Sequence, residues 1–172
     1  MYEKVFNVDV KLCELFNRAS HYNIIKILFS IISRLGDGIF WYSLMIFLTF
    51  HYGQSAIPIV LQMALSGVFG LIIYKLIKSN TARLRPYIAC TQIKLGAQPL
   101  DQYSFPSGHT LHAVGFTNII CFYYTDFFYI LLPITALIAA SRMILGLHYP
   151  SDVVMGAIIG FITSSSILYF YA

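Results

Sequence analysis

Apolar runs of membrane-crossing length alternate with short polar breaks along this chain, and that alternation restricts its fold more than any other feature. The runs are Ile39–Tyr52, Ile57–Ile77, Ser107–Tyr124, Phe127–Leu147 and Asp152–Tyr171, with a shorter one at Ile24–Ser33. In a bilayer the backbone must satisfy its own hydrogen bonds, so such runs are expected to be helices. At 1.5 Å per residue, about twenty residues cross the hydrocarbon core. Only 10% of residues are charged and mean hydropathy is +0.73, against roughly 25% charged in a soluble domain. The expectation is an all-α, polytopic membrane helical bundle forming a single domain over residues 1–172. It has about six transmembrane helices when the N-terminal run and its flanks count as one crossing.

Ahead of these runs, Val5–Phe16 puts Val5, Val8, Leu12, Leu15 and Phe16 on one side of a helix, with Lys4, Lys11 and Glu14 largely elsewhere. That pattern predicts an interfacial helix lying on the membrane. The first twenty residues carry both signs of charge and no cleavage pattern, so nothing is expected to be removed. A net charge of +4 is too sparse for nucleic acid, and four of the eleven basic residues fall between Lys78 and Lys94. Cys13, Cys90 and Cys121 lack metal-ligand spacing and read as small apolar fillers.

Strict alternation of six crossings brings three polar segments to one face. In "KSNTARLRP", Lys78, Arg83 and Arg85 crowd together, either as cations at headgroup level or as part of a site. In "FPSGHTLHA", Pro106 sits near a helix start, Ser107 can cap it, and Gly108 lets a ligand approach the backbone. Free amides at a helix start favour an anion, which His109 would face. His112, one turn deeper, reads as a structural hydrogen-bonding residue. In "SRMILGLHYPSD", Arg142 stands near the end of an apolar span, where an ionised group usually serves function. His148 and Asp152 are four residues apart, close enough for the carboxylate to hold one imidazole nitrogen and leave the other nucleophilic. A turn-capping Asp152 is the plainer alternative.

This set holds two histidines, several cations and a helix N-terminus. Asp37 and Asp101 are too few to make a magnesium site, and two histidines alone make a poor zinc site. A cation-rich pocket without metal ligands suits a phosphate ester.

The three segments resemble the three motifs of the type 2 phosphatidic acid phosphatase superfamily: K-x6-RP at Lys78–Pro86, PSGH at Pro106–His109, and SR-x5-H-x3-D at Ser141–Asp152. "SRLGDG", Ser33–Gly38, is similar to the bacterial integral-membrane branch. The resemblance implies that His148 is the nucleophile, Asp152 its orienting partner and His109 the general acid. Lys78, Arg85 and Arg142 would bind phosphoryl oxygens together with the Ser107 and Gly108 backbone, while Arg83 is left to contact a headgroup. It further implies a lipid phosphatase that needs no metal or other cofactor and acts on a membrane lipid phosphate or diphosphate, with undecaprenyl diphosphate favoured. Phosphatidylglycerophosphate and phosphatidate are alternatives. The expected setting is a bacterial plasma membrane, with the site facing the periplasm or exterior. A lipid or phosphate transporter and a non-catalytic anion-binding protein are the competing classes. No nucleic-acid partner is expected, and the sequence leaves the oligomeric state open.

Overall fold

The computed structural model describes residues 2–171 as a helical protein whose longer helices alternate in direction. The elements are α1 (Tyr2–Asn17), α2 (Asn23–Leu35), α3 (Ile39–Tyr52), α4 (Ile57–Thr81), α5 (Pro86–Ala89), α6 (Gly108–Tyr123), α7 (Phe128–Ile144) and α8 (Pro150–Tyr171). Among the described residues there is no strand, only an isolated bridge between Leu84 and Tyr103. The side chains of Lys4 and Val5, which the sequence placed on opposite sides of α1, lie outside the described residues.

Helix ends fall where local chemistry stops them. Pro58 stands in the first turn of α4, where its missing N–H has no intrahelical partner to lose. Beyond Thr81, Ala82 takes a left-handed conformation (φ 44°) and its N–H closes on the Lys78 carbonyl. Lys78 therefore belongs to the last turn of α4 rather than to the polar loop, which begins at Ala82.

Among the described residues, length and composition alone qualify three helical stretches to cross a membrane: Ile39–Thr81, Thr125–Ile144 and Pro150–Tyr171. The first of these folds back on itself at Gly53 as the α3–α4 hairpin, so that Trp41 and Tyr42 share a cavity wall with Val68 and Leu71. With 13, 14 and 16 residues, α2, α3 and α6 each fall short of the roughly 30 Å hydrocarbon core. The count of six is accordingly approximate, while the bundle is plain. Large apolar side chains face outward on every long helix; Phe50 is 87% and Tyr169 85% exposed. A lipid surround accounts for such a surface, which water would not tolerate.

At the centre stands α6, packed most extensively on α8. Cβ atoms at Gly156 and Gly160 would overlap the Ser107 and Leu111 carbonyls, so glycine permits this close approach. Polar links tie α6 to its neighbours. Gln62 donates to Tyr123 (2.9 Å), Thr117 pairs with Thr135 (2.7 Å), and Asn118 donates to Ser164 (2.9 Å). Trp41, Met63, Phe116, Ile120 and Ile138 fill the core between these helices.

The apolar stripe of α1 behaves as expected for an interfacial helix, with Val8, Leu12, Leu15 and Phe16 exposed. Its other face is buried. Asp9, Cys13 and Asn17, spaced at i, i+4 and i+8, dock against the rest of the protein.

Candidate active site

Side-chain and backbone contacts bring the C-termini of α4 and α7 to one face with the N-termini of α6 and α8, the last two running side by side. A continuous chain of contacts crosses that face. Lys78 donates to Asp101 at 2.8 Å, and Arg85 reaches the other oxygen of Asp101 at 2.8 Å. Nη1 of Arg85 lies 3.3 Å from Nε2 of His148, whose Nδ1 is 3.6 Å from Asp152. The Ser107 amide then donates to the Asp152 carbonyl at 3.0 Å, joining the start of α6 to the start of α8.

His148 leaves α7 on a sharp turn. The Leu147 and His148 amides both donate to the Arg142 carbonyl, at 3.0 and 3.1 Å. Gly146 precedes them with φ 69°, and a Cβ there would sit 2.7 Å from the Lys94 carbonyl oxygen. The turn buries the imidazole completely. Burial first, then the charges of Arg142, Arg85, Lys78 and His109, push the His148 pKa well below its ordinary value. Its Nε2 faces the cation cluster, and its Nδ1 faces Asp152 without a hydrogen bond among the described residues.

Asp152 spends its oxygens elsewhere. Oδ1 accepts from Arg83 at 2.6 Å and Oδ2 from the Tyr149 amide at 2.8 Å. The sequence left Arg83 for a headgroup. Instead, its guanidinium also donates to Asp9 at 2.7 Å and lies 4.1 Å from the Tyr149 ring centroid. Burial opposes its charge, but Asp152 and Asp9 outweigh that and raise its pKa. Arg83 thus pins α1 to the start of α8.

Two expectations about α6, for Ser107 and His112, need revision. Ser107 stands at the N-cap but makes no capping bond to the backbone. Its hydroxyl pairs with Thr110 at 3.0 Å, and its amide is committed to Asp152. At Gly108 a Cβ would meet the Tyr74 ring at 3.0 Å, so the missing side chain there makes room for Tyr74. His112 makes no hydrogen bond among the described residues and stacks on Phe116, with centroids 5.6 Å apart.

Arg142 is buried, with Nη1 donating to Ser33 and Nε unpartnered among the described residues. A buried guanidinium with spare donors suits an anion. His109 is buried too, and its Nε2 lies 2.5 Å from Asp37 in the α2–α3 turn. Asp101 accepts from Tyr74, Lys78 and Arg85; burial works against its ionisation, yet these donors hold its pKa at about 2. Among the described residues, no three His, Cys, Asp or Glu side chains gather as metal ligands would.

Asp9, Ser33, Asp37, Tyr74 and Asp101 join the site as partners that the three motifs do not name. Asp37 and Asp101 stood out in the sequence only as too few carboxylates for a metal, and Ser33 and Asp37 lie in the SRLGDG stretch. Asp37 stands between two glycines, and Asp9 begins the polar stripe of α1.

The PAP2 superfamily model matches residues 55–172, a stretch containing all three motifs. Comparison with curated proteins returns no match. Among solved structures, LpxE from Aquifex aeolicus is 28% identical with a TM-score of 0.76, over 92% of this chain and 93% of that one. A transmembrane PAP2-type phosphatidylglycerolphosphate phosphatase from Bacillus subtilis is 20% identical with a TM-score of 0.79, over 97% and 86%.

Proposed function

The chain belongs to the PAP2 superfamily and is a membrane lipid phosphatase, and on that premise we propose that it removes a terminal phosphoryl group through a phosphohistidine on His148. The observation that carries this reading is the setting of His148. Its ring is buried, Nε2 faces Arg85, and Asp152 stands on the Nδ1 side.

The phosphoryl group binds among Lys78, Arg85 and Arg142 at the start of α6, where preorganised donors stabilise charge on the transferring oxygens. Substrate takes over the donors that Asp101 occupies. The lone pair on Nε2 of His148 attacks phosphorus in line, and the bond to the leaving oxygen breaks. His109 protonates that oxygen. Water then attacks the phosphohistidine, His109 accepts its proton, the P–N bond breaks, and inorganic phosphate leaves. His148 returns to its neutral state. Ser107 and Gly108 shape the helix start, and no metal takes part.

A lipid substrate is supported by an apolar groove of about 420 Å³ between α3, α4 and α6, which begins at Asp37 and is lined by Trp41, Met45, Leu71 and Phe116. It offers an acyl or isoprenyl chain a place beside the proton donor. Undecaprenyl diphosphate is the favoured substrate, in a bacterial plasma membrane with the site facing outward. Phosphatidylglycerophosphate, the substrate named for the Bacillus structure, is the second reading, and phosphatidate the third. Phosphate release from purified protein, compared across these three lipids and a soluble ester, tests the reading. Fastest turnover of undecaprenyl diphosphate is expected, and release from none of the lipids overturns the proposal.

A further inference from the structure

The α2–α3 turn, Arg34–Gly38, touches the histidine that donates the proton in the proposed reaction, yet that reaction gives the turn no part. Asp37 Oδ1 lies 2.5 Å from Nε2 of His109. On the adjacent ring edge, Gly36 approaches so closely that a Cβ would stand 2.7 Å from Cδ2 of His109. Gly38 takes φ 114°, a left-handed conformation that reverses the chain into α3. The turn therefore holds the His109 ring by an edge and by a nitrogen, from a segment 72 residues away in sequence.

We propose that Asp37 is the positioning residue for the general acid: its carboxylate fixes the tautomer and orientation of His109 and keeps the imidazolium charged until it donates its proton to the leaving oxygen. This rests on the reading of His109 as proton donor. The site then holds two carboxylate–imidazole pairs with opposite tasks. Asp152 stands 3.6 Å from a neutral nucleophile, whereas Asp37 makes a close hydrogen bond to the group that carries the proton. An ionised carboxylate at one ring nitrogen favours the imidazolium, and the other nitrogen remains to donate.

The carboxylate is available for this task. Hydrogen bonding to His109 lowers the Asp37 pKa despite the opposing effect of burial, and Arg142 and Arg34 add to it. Of the other charged or titratable groups near His109, Arg142 on α7 and Arg85 in the polar loop act against a second positive charge. His148 lies in the same field, and His112 lies on α6 itself. Burial first, and then these two guanidinium groups, press against the imidazolium, and Asp37 is the counter-charge in direct contact.

The test measures phosphohistidine formation by quenched flow, using octyl phosphate and para-nitrophenyl phosphate, in wild type, Asp37→Asn, Asp37→Glu and His109→Ala. Asp37→Asn is expected to slow the octyl reaction by about 10- to 100-fold and the aryl reaction much less, because an acidic leaving group needs little protonation. The alkaline limb of its pH–rate profile should move to lower pH, since the imidazolium gives up its proton more readily. Asp37→Glu should recover part of the octyl rate, and size-exclusion in detergent reports whether each variant is folded. A wild-type octyl rate in Asp37→Asn overturns the proposal. Equal slowing of both substrates with an unmoved alkaline limb also overturns it and leaves Asp37 a purely structural residue. If the wild-type protein itself forms no acid-labile phosphoenzyme, the phosphohistidine reading fails and the Asp37 proposal falls with it.

Discussion

At the residue scale, the two histidines are separated by what surrounds them. His148 is buried, sits among cations and lacks a close carboxylate bond, so its neutral form is favoured, as a nucleophile requires. The attacking species is the deprotonated one, and its pKa lies well below the ordinary value of about 6.5. The acid limb of kcat/KM for an aryl phosphate should therefore fall well below that pH. A pH–rate profile checks it, and an acid limb near 6.5 would show that burial and the neighbouring cations do not govern His148. His148→Ala should yield no trapped phosphoenzyme. Asp101 is the counter-ion of the same cations: its carboxylate occupies donors of Lys78 and Arg85. Asp101→Asn removes that competitor, so inorganic phosphate should raise the thermal midpoint of the variant more than that of wild type. An equal or smaller shift in a thermal melt would count against competition for one cradle.

At the element scale, α1 is more than a membrane-surface helix. Asn17 donates to the Lys94 and Ile144 carbonyls, both at 2.9 Å, and accepts from the Lys94 amide at 2.8 Å. Asp9 binds Arg83 and Ser151, and Cys13 donates to the His148 carbonyl at 3.6 Å. The stripe thus fastens α1 to both ends of the segment that carries His148. Asn17→Ala strands buried backbone groups, and losing such bonds costs about 1–3 kcal/mol. A lower thermal midpoint together with reduced turnover is the expected result. Unchanged turnover in a destabilised variant would limit α1 to a stabilising part. Leu15→Ser, on the exposed apolar side, should loosen α1 from the bilayer surface, read as faster amide exchange in α1 in vesicles, and leave the melt of the detergent-solubilised protein near wild type.

At the scale of the whole molecule, alternation of helix direction collects cations, imidazoles and helix starts at one membrane face. The proposed chemistry draws on those groups alone. Turnover of a short-chain monophosphate should persist in EDTA and gain nothing from added magnesium; a soluble monophosphate avoids the effect of divalent ions on lipid diphosphate charge. Loss of activity in chelator, restored by one metal, would overturn the metal-independent mechanism. Reconstitution into vesicles, with substrate supplied on one side at a time, checks which face the site occupies.

The sequence by itself determined the helices and the ends at which chemistry gathers. A bilayer forces backbone hydrogen bonding to be local, so apolar runs and their polar breaks map almost directly onto helices and turns. Lys78, Arg85, His109, Arg142, His148 and Asp152, the proposed site residues, each lie at such a break within a recognisable motif. Tertiary structure decided their partners. Asp9 meets Arg83 across 74 positions, and Asp37 meets His109 across 72. Packing sets such distances, and no periodicity in the chain encodes them. It also decided that Arg83 holds α1 rather than a headgroup, and that the Ser107 amide belongs to Asp152. A motif names the groups a site contains; which acid neutralises which base depends on how closely the helices pack, and here glycines at Gly156 and Gly160 set that approach for α6 and α8.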